Sequence, residues 1–208
     1  MPKKVALFDF DGTIARTVEE GVRVFNRMAR QYGFREITRE NAELLRDKGP
    51  KEVMKELRVS MLKIPLVLGG LRNGVKRKIG GMTMPDGVRH ALLELRKNGY
   101  ALGIVTSNSK DNVLRFLKHN EIEVFDYVHA GSGIFSKARA IGKAVVRNNL
   151  KRVEVVYVGD EIRDIEAAQK NHIRAIGVTW GVNSRKGLEG AHADFVVDRP
   201  HELTDILL

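Results

Sequence analysis

The sequence predicts an α/β protein, with a parallel sheet covered by helices on both faces and a small helical domain inserted after the first strand. Short apolar segments that end in polar residues alternate with helical patterns from residue 85 onward, which is typical of parallel strands joined by crossover helices. Residues 14–82 contain helical patterns only. With 208 residues, of which 43% are hydrophobic, the chain suits one core domain and a smaller insert.

The first strand runs directly into a pair of aspartates. Residues 5–8 are apolar and too short for an independent helix, so they predict a buried strand. Asp9 and Asp11 are two residues apart, so in extended backbone they point to the same side, and Gly12 then allows a turn. A carboxylate at the end of a buried strand is costly unless it is used or paired. The segment therefore predicts a functional carboxylate pair at the carboxyl edge of the sheet, where open α/β folds bind ligands.

The sequence of the insert predicts three or four helices. Thr17 and Glu20 have the spacing of a capping box that begins the first helix, and Gly33 ends it. Thr38 caps the second helix, and the Gly-Pro pair at 49–50 breaks it. The remaining helices are predicted at 51–57 and, as one or two helices, within 62–75.

The sequence pattern from residue 85 onward predicts the helices and strands of the core domain. Its elements, in order, are a helix over 85–99, a strand over 100–105, a helix carrying Val113 and Leu117, a short strand over 127–130, a helix over 136–149, a strand over 153–158, a helix over 161–170, and strands over 173–178 and 195–197. Because helices separate the strands, the sheet is expected to be parallel.

The positive charge of the chain is concentrated in the insert. The net charge is +10, and residues 14–82 hold 16 Lys and Arg against 8 Asp and Glu, which leaves only +2 for the remainder. This asymmetry indicates a module with its own role. A basic chain raises the possibility of a nucleic-acid or anionic-surface binder. Only 6% of the residues are aromatic, however, so platforms for base stacking are scarce, and nucleic acid is not the expected partner.

Composition also bears on location. The chain has no cysteine, which fits a reducing compartment, and a cytoplasmic location is expected. The apolar run after Lys4 is broken at Asp9, which argues against a signal peptide. No apolar stretch approaches the roughly 20 residues that span a bilayer, so no membrane partner is expected.

Polar residues follow four predicted parallel strands in a recurring pattern, and their set and order resemble the haloacid dehalogenase superfamily, a group dominated by phosphatases. The resemblance covers the whole chain. The residues that carry it are the tract at 9–13, the segment 104–108 with Thr106 in the hydroxyl position, Lys137, and the segment 158–164 with Asp160 and Asp164. The residues at 176–181, followed by Ala193-Asp194, resemble the phosphoglycolate phosphatase-like branch.

The resemblance implies a domain organisation. Members of that branch have a Rossmann-like core and carry a helical cap domain between the first and second motifs. The expected core domain is 1–13 and 83–208, and the expected cap domain is 14–82.

The resemblance also implies catalytic roles in the hydrolysis of small phosphate monoesters. Asp9 is the expected nucleophile, which forms an aspartyl-phosphate. Asp11 is the expected acid and base, which protonates the leaving oxygen and then activates water. Thr106 is expected to donate its hydroxyl to a phosphoryl oxygen. Lys137 is expected to neutralise phosphoryl charge, with Lys143 as the alternative lysine.

Binding roles follow from the same resemblance. Mg²⁺ is the expected cofactor, held by Asp9, the backbone carbonyl of Asp11, and Asp160, with Asp164 close by or acting through water. The backbone amide of Ser107 or Asn108 is expected to bind the phosphoryl group, because a helix begins there.

Three basic residues of the insert are candidates for substrate binding. Arg46, Lys48 and Lys51 flank the Gly-Pro pair, in a loop that resembles the substrate-specificity loop of the cap. Their charge suits a carboxylate or a second phosphate of an anionic substrate. A solvated helical face is the competing interpretation for most cap cations.

Other chemistries of this superfamily fit less well. Dehalogenases and phosphonatases lack an acid at the position of Asp11, so both are disfavoured. Sugar phosphomutases of this shape use a histidine early in the cap, and residues 14–82 contain none. A small-molecule phosphatase is therefore the leading hypothesis. The alternatives are a sugar phosphomutase, and a basic phosphatase of nucleotide or nucleic-acid ends or a binding protein.

Overall fold

The computed structural model describes residues 4–131 and 136–208. Its centre is a six-stranded sheet, parallel throughout, with the strand order β3-β2-β1-β4-β5-β6. The strands are β1 (Val5–Phe8), β2 (Ala101–Val105), β3 (Tyr127–His129), β4 (Val155–Gly159), β5 (Arg174–Val178) and β6 (Phe195–Val197). The predicted α/β class is confirmed.

Ten α-helices surround the sheet or form the insert within the described part of the chain. They are α1 (Val18–Tyr32), α2 (Arg39–Arg46), α3 (Pro50–Glu56), α4 (Ile64–Lys78), α5 (Val88–Lys97), α6 (Lys110–His119), α7 (Lys137–Arg147), α8 (Ile162–Gln169), α9 (Arg185–Gly190) and α10 (Glu202–Leu207). The sequence did not predict α9 and α10, because six residues are too few to show a helical period. None of these helices is long and apolar enough to cross a membrane.

The central strand is buried on both faces. In β1, Ala6 and Phe8 pack into one hydrophobic cluster while Val5 and Leu7 pack into another on the opposite face. This division follows from the two-residue period of a strand. It explains why the segment is a continuous apolar run, since helices cover both faces of a parallel sheet.

The insert has a hydrophobic cluster of its own. Phe25, Ala29, Leu45, Leu57, Val59 and Val67 are buried together there. Ile14, Ala15 and Ile79 pack instead against the core strands. The boundaries of the cap at 14 and 82 stay a prediction.

One prediction for the insert was wrong, and the alternative of a single helix within 62–75 was confirmed. Thr17 precedes α1, but its side chain makes no cap hydrogen bond, and Glu20 is buried in ion pairs with Arg23 and Lys78 instead of closing a capping box. The segment 62–75 belongs largely to one helix, α4, despite its internal glycines. Gly33 does end α1, in a left-handed conformation with a φ of 75°, and Thr38 does cap α2.

The glycines inside α4 allow it to pack closely on α1. A Cβ at Gly74 would lie 2.4 Å from Val24 Cγ2, and one at Gly70 would lie 2.4 Å from Met28 Sδ. A Cβ at Gly69 would meet nothing within 4 Å. The contact with α1 therefore requires a glycine at Gly74, where the overlap is with a β-branched side chain, whereas Met28 can move away from Gly70.

This packing predicts opposite effects for two similar substitutions. Gly69→Ala should raise the free energy of unfolding by up to about 1 kcal/mol, because it removes only the helix-propensity cost of glycine. Gly74→Ala should lower it by about 1–3 kcal/mol, because the new methyl overlaps Val24. Chemical denaturation of both variants checks this, and a Gly74→Ala protein as stable as Gly69→Ala would contradict it.

Candidate active site

The sheet topology brings three predicted site residues to one edge. Asp9 follows β1, Thr106 follows β2 and Asp160 follows β4. Because β1 lies between β2 and β4 in the sheet, the carboxyl ends of these strands meet. The chain also changes direction across the sheet at this point, which is where open α/β folds form their ligand sites.

Lys137 lies between two of the aspartates. Its Nζ is 2.6 Å from Asp9 Oδ1 and 2.9 Å from Asp164 Oδ1, and its side chain is 5% exposed. Burial alone would lower the pKa of Lys137, but the carboxylates of Asp164 and Asp9 raise that pKa well above its usual range. The lysine is therefore held as a cation. Lys143, the alternative lysine, is exposed on α7 and does not reach this cluster.

Asp160 is held by two donors and enclosed by two glycines. Its Oδ1 accepts a hydrogen bond from the hydroxyl of Thr13 at 2.6 Å, and its Oδ2 accepts one from the backbone N–H of Val182 at 2.8 Å. A Cβ at Gly12 or at Gly181 would lie 2.2 Å from Asp160 Oδ2. Gly12 also has a φ of 85°. Neither position can hold a larger residue, because its side chain would overlap the buried carboxylate of Asp160.

The aspartates form a concentrated negative site. The carboxylate oxygens of Asp9, Asp160 and Asp164 lie within 4.8 Å of one another, and all three residues are buried. Burial is the main cause that raises the pKa of Asp9 to about 7, against the lowering effect of Lys137. Burial, together with the charge of Asp9, raises the pKa of Asp160 well above its usual value. Hard oxygen donors in this arrangement fit a divalent cation such as Mg²⁺.

Asp11 is oriented by side chains from two other elements. Nδ2 of Asn108 lies 3.1 Å from each carboxylate oxygen, and the hydroxyl of Thr17 donates a further hydrogen bond. Nδ2 of Asn112 donates in turn to Asn108 Oδ1 at 2.8 Å. Burial raises the pKa of Asp11, and the bonds from Asn108 and Thr17 moderate that rise. Sequence reasoning named Asn108 only for its backbone amide, and it missed the orienting role of both side chains.

The loop after β2 differs from the prediction in one respect. The helix begins at Lys110, with Ser109 as its N-cap, rather than at Ser107 or Asn108. The backbone N–H of Asn108 donates to the Thr106 hydroxyl oxygen at 3.0 Å. That amide is therefore directed at Thr106. Ser107 lines a cavity above Asp11, and its phosphoryl-binding role stays a prediction.

The three basic residues of the cap loop lie away from this cavity. Arg46 Nη2 donates to the carbonyl of Thr179 at 2.7 Å, and Lys48 pairs with Glu56. Lys51 is exposed and lines a separate groove that also reaches Lys137. The structure does not bring these three side chains together at Asp11, and their substrate-binding role stays a prediction.

Asn183 joins the cap loop to the core, and sequence reasoning missed it. Its Nδ2 donates to the carbonyls of Arg46 at 2.7 Å and Lys48 at 3.0 Å, and its Oδ1 accepts from the N–H of Ile162 at 2.9 Å. Its own N–H donates to the carbonyl of Asp160 at 3.0 Å. The residue is 1% exposed. No sequence pattern marks such a residue, because its partners are distant along the chain.

Comparison with known proteins agrees with this architecture. The profile of the haloacid dehalogenase-like hydrolase family matches residues 6–178. The chain belongs to this family. The membership predicted from the motifs is confirmed.

This haloacid dehalogenase-like hydrolase has relatives that it matches over more than nine tenths of both chains. It is 33% identical over 202 residues to the phosphoglycolate phosphatase of Synechococcus elongatus, covering 95% of this chain and 93% of that protein. It is 28% identical to the pyrophosphatase PpaX of Listeria innocua, covering 97% and 94%. A haloacid dehalogenase-like family hydrolase from Streptococcus pneumoniae shares the fold, with a TM-score of 0.81, 20% identity and 99% coverage of both chains.

The contacts of Asn183 predict a structural cost for its removal. Asn183→Ala should lower the free energy of unfolding by about 1–3 kcal/mol, because buried backbone groups of the cap loop and of α8 lose their partners. Asn73→Ala, at an exposed position of α4, is the matched control and should cost nothing. Denaturant melts measure both, and a loss below about 0.5 kcal/mol for Asn183→Ala would contradict the assignment.

Proposed function

We propose that this hydrolase is a Mg²⁺-dependent phosphatase that cleaves small phosphate monoesters through an aspartyl-phosphate on Asp9. The observation that carries the proposal is the pairing of Asp9 with the buried cation Lys137, beside an Asp11 that other side chains orient toward a cavity. Membership of the family and the phosphatase relatives support it. Those relatives are named for different substrates, so their names do not identify the substrate of this chain.

The proposed reaction uses the two aspartates in turn. A carboxylate oxygen of Asp9 attacks the phosphorus, and the bond to the ester oxygen breaks as Asp11 protonates that oxygen. Asp11 then takes a proton from a water molecule, which attacks the phosphorus and releases phosphate from Asp9. The raised pKa of Asp11 suits the first, acidic step.

The remaining residues neutralise the charge of the phosphoryl group or hold other side chains in position. Lys137 and the Thr106 hydroxyl face the anionic phosphoryl group, whose charge must be neutralised before a carboxylate can attack. Asp164 also contacts Lys137 and holds it in place beside Asp9. Asp9, Asp160 and the backbone carbonyl of Asp11 would hold Mg²⁺, which when bound neutralises phosphoryl charge. The cytoplasmic location remains an expectation from the sequence.

The roles of the two aspartates predict distinct losses. Asp9→Asn should abolish Mg²⁺-dependent phosphate release from p-nitrophenyl phosphate, because the amide is not a nucleophile. Asp11→Asn should reduce the rate by about 10²–10⁴-fold, because it removes acid and base catalysis. Asp205→Asn, at an exposed position of α10, is the control and should keep full activity.

Other experimental outcomes would indicate the alternative functions. Hydrolysis that survives Asp9→Asn would contradict the mechanism. Phosphoryl transfer between positions of a sugar phosphate, in place of phosphate release, would indicate a mutase. Salt-sensitive retention of DNA or RNA without turnover would indicate a binding protein.

The buried acidic cluster predicts a pH-dependent response to metal that needs no activity assay. Asp9 has a pKa of about 7 in the metal-free protein, so at pH 6 Mg²⁺ must displace a proton that is already lost at pH 8. The same raised pKa means that ionisation of Asp9 destabilises the metal-free fold as the pH rises through 7.

The rise in melting temperature on adding Mg²⁺ should therefore be larger at pH 8 than at pH 6. The apparent affinity should differ by about tenfold. Thermal melts with and without Mg²⁺ measure this. Asp160→Asn should remove most of the response, while Asp205→Asn should preserve it. An equal response at both pH values would contradict the prediction.

A further inference from the structure

The cavity above Asp11 divides sharply between a polar floor and apolar walls. Its volume is about 340 Å³, at the lower end of ligand pockets of about 300–1,000 Å³. The floor comes from the sheet edge that holds the aspartates, and it includes Asp11, Ser107, Asn108 and the ion pair of Glu161 with Arg163. The walls come from the cap and are apolar, as shown by Val22, Phe25, Met54, Leu68, Leu71 and Val75.

Little of the positive charge of the cap lines this cavity. The insert has a net charge of +8, yet among the described residues that line the cavity the cap contributes one cation, Arg72, which is exposed. Arg46 and Lys48 are engaged with other parts of the protein. The region above Asp11 is thus lined mainly by apolar residues of the cap.

Gly21 keeps part of this space open. It lies inside α1 and lines the cavity, and a Cβ there would meet nothing within 4 Å. It also has no positive φ that would require glycine. Gly74 in α4 is different, because a Cβ there would collide with Val24. Close packing therefore explains Gly74 but does not explain Gly21.

We propose that the substrates are phosphate monoesters whose leaving group is an extended apolar alkyl or aryl chain, and that Gly21 is the position that leaves room for this chain. The inference rests on the proposed phosphatase function and specifies its substrate class. The phosphate lies at the polar floor beside Asp11, and the carbon chain extends between α1 and α4. Binding energy then comes from removing the chain from water.

The first test is a series of alkyl phosphates from methyl to octyl, assayed with Mg²⁺ and compared with phosphoglycolate. The inference expects kcat/KM to rise by roughly fourfold for each added methylene until the cavity is filled. A flat series, or a higher kcat/KM for phosphoglycolate than for any alkyl ester, would overturn it. No phosphate release from any ester would instead overturn the proposed function, so the two failures are distinguishable.

The second test fills the cavity from Gly21. Gly21→Leu should lower the ratio of kcat/KM for octyl phosphate to that for methyl phosphate by at least about tenfold. Gly69→Leu is the matched control, since Gly69 lies in a helix with equally open space but outside the cavity, and it should leave the ratio unchanged.

Folding of both variants is checked by thermal melts. If Gly21→Leu does not fold, Gly21→Ala should give a smaller fall in the same ratio. An unchanged ratio in a folded Gly21→Leu protein would overturn the role of Gly21.

Discussion

The buried ion triad formed by Asp9, Lys137 and Asp164 is the interaction on which the site depends. Its members come from the end of β1, the start of α7 and the first turns of α8, so the triad ties three separate elements to one point. Removing one partner from a buried ion pair typically costs about 3–5 kcal/mol, because the other charge stays buried and uncompensated. The lysine thus keeps two carboxylates close together that would otherwise repel each other.

The surroundings of Asp160 show what such a site requires of its neighbours. No lysine contacts this carboxylate among the ion pairs of the described residues, and it relies on Thr13, the N–H of Val182 and two glycines. Burial without a paired cation leaves its pKa well above the usual range. This arrangement suits a divalent metal ion, because carboxylate oxygens of three aspartates, which are hard donors, lie within 4.8 Å of one another.

The cap and the core differ in the chemistry that they present to the cavity. The core supplies most of the charged and hydrogen-bonding groups. The cap supplies a mainly apolar surface to which Arg72 contributes one cation, while Arg46 and Lys48 are engaged elsewhere. Asn183 joins the two parts, because it binds the carbonyls of the cap loop and the first amide of α8 at once. Some of the contacts that join the insert to the core therefore come from a residue outside every sequence motif. The net charge of the cap alone suggested an anionic ligand, and the position of those charges changes that interpretation.

The sequence by itself determined the α/β class, the helical insert and the edge of the sheet at which the aspartates meet. Each of these depends on local patterns, namely short apolar runs that end in polar residues and helical spacing between them. Only the tertiary structure decided that Lys137 rather than Lys143 reaches Asp9, and that Asn108 and Thr17 orient Asp11. It also decided that Glu20 pairs with Lys78 in place of a capping box and that the cavity walls are apolar. These outcomes depend on contacts between side chains from elements that are far apart in the chain, and the local spacing of residues does not determine those contacts.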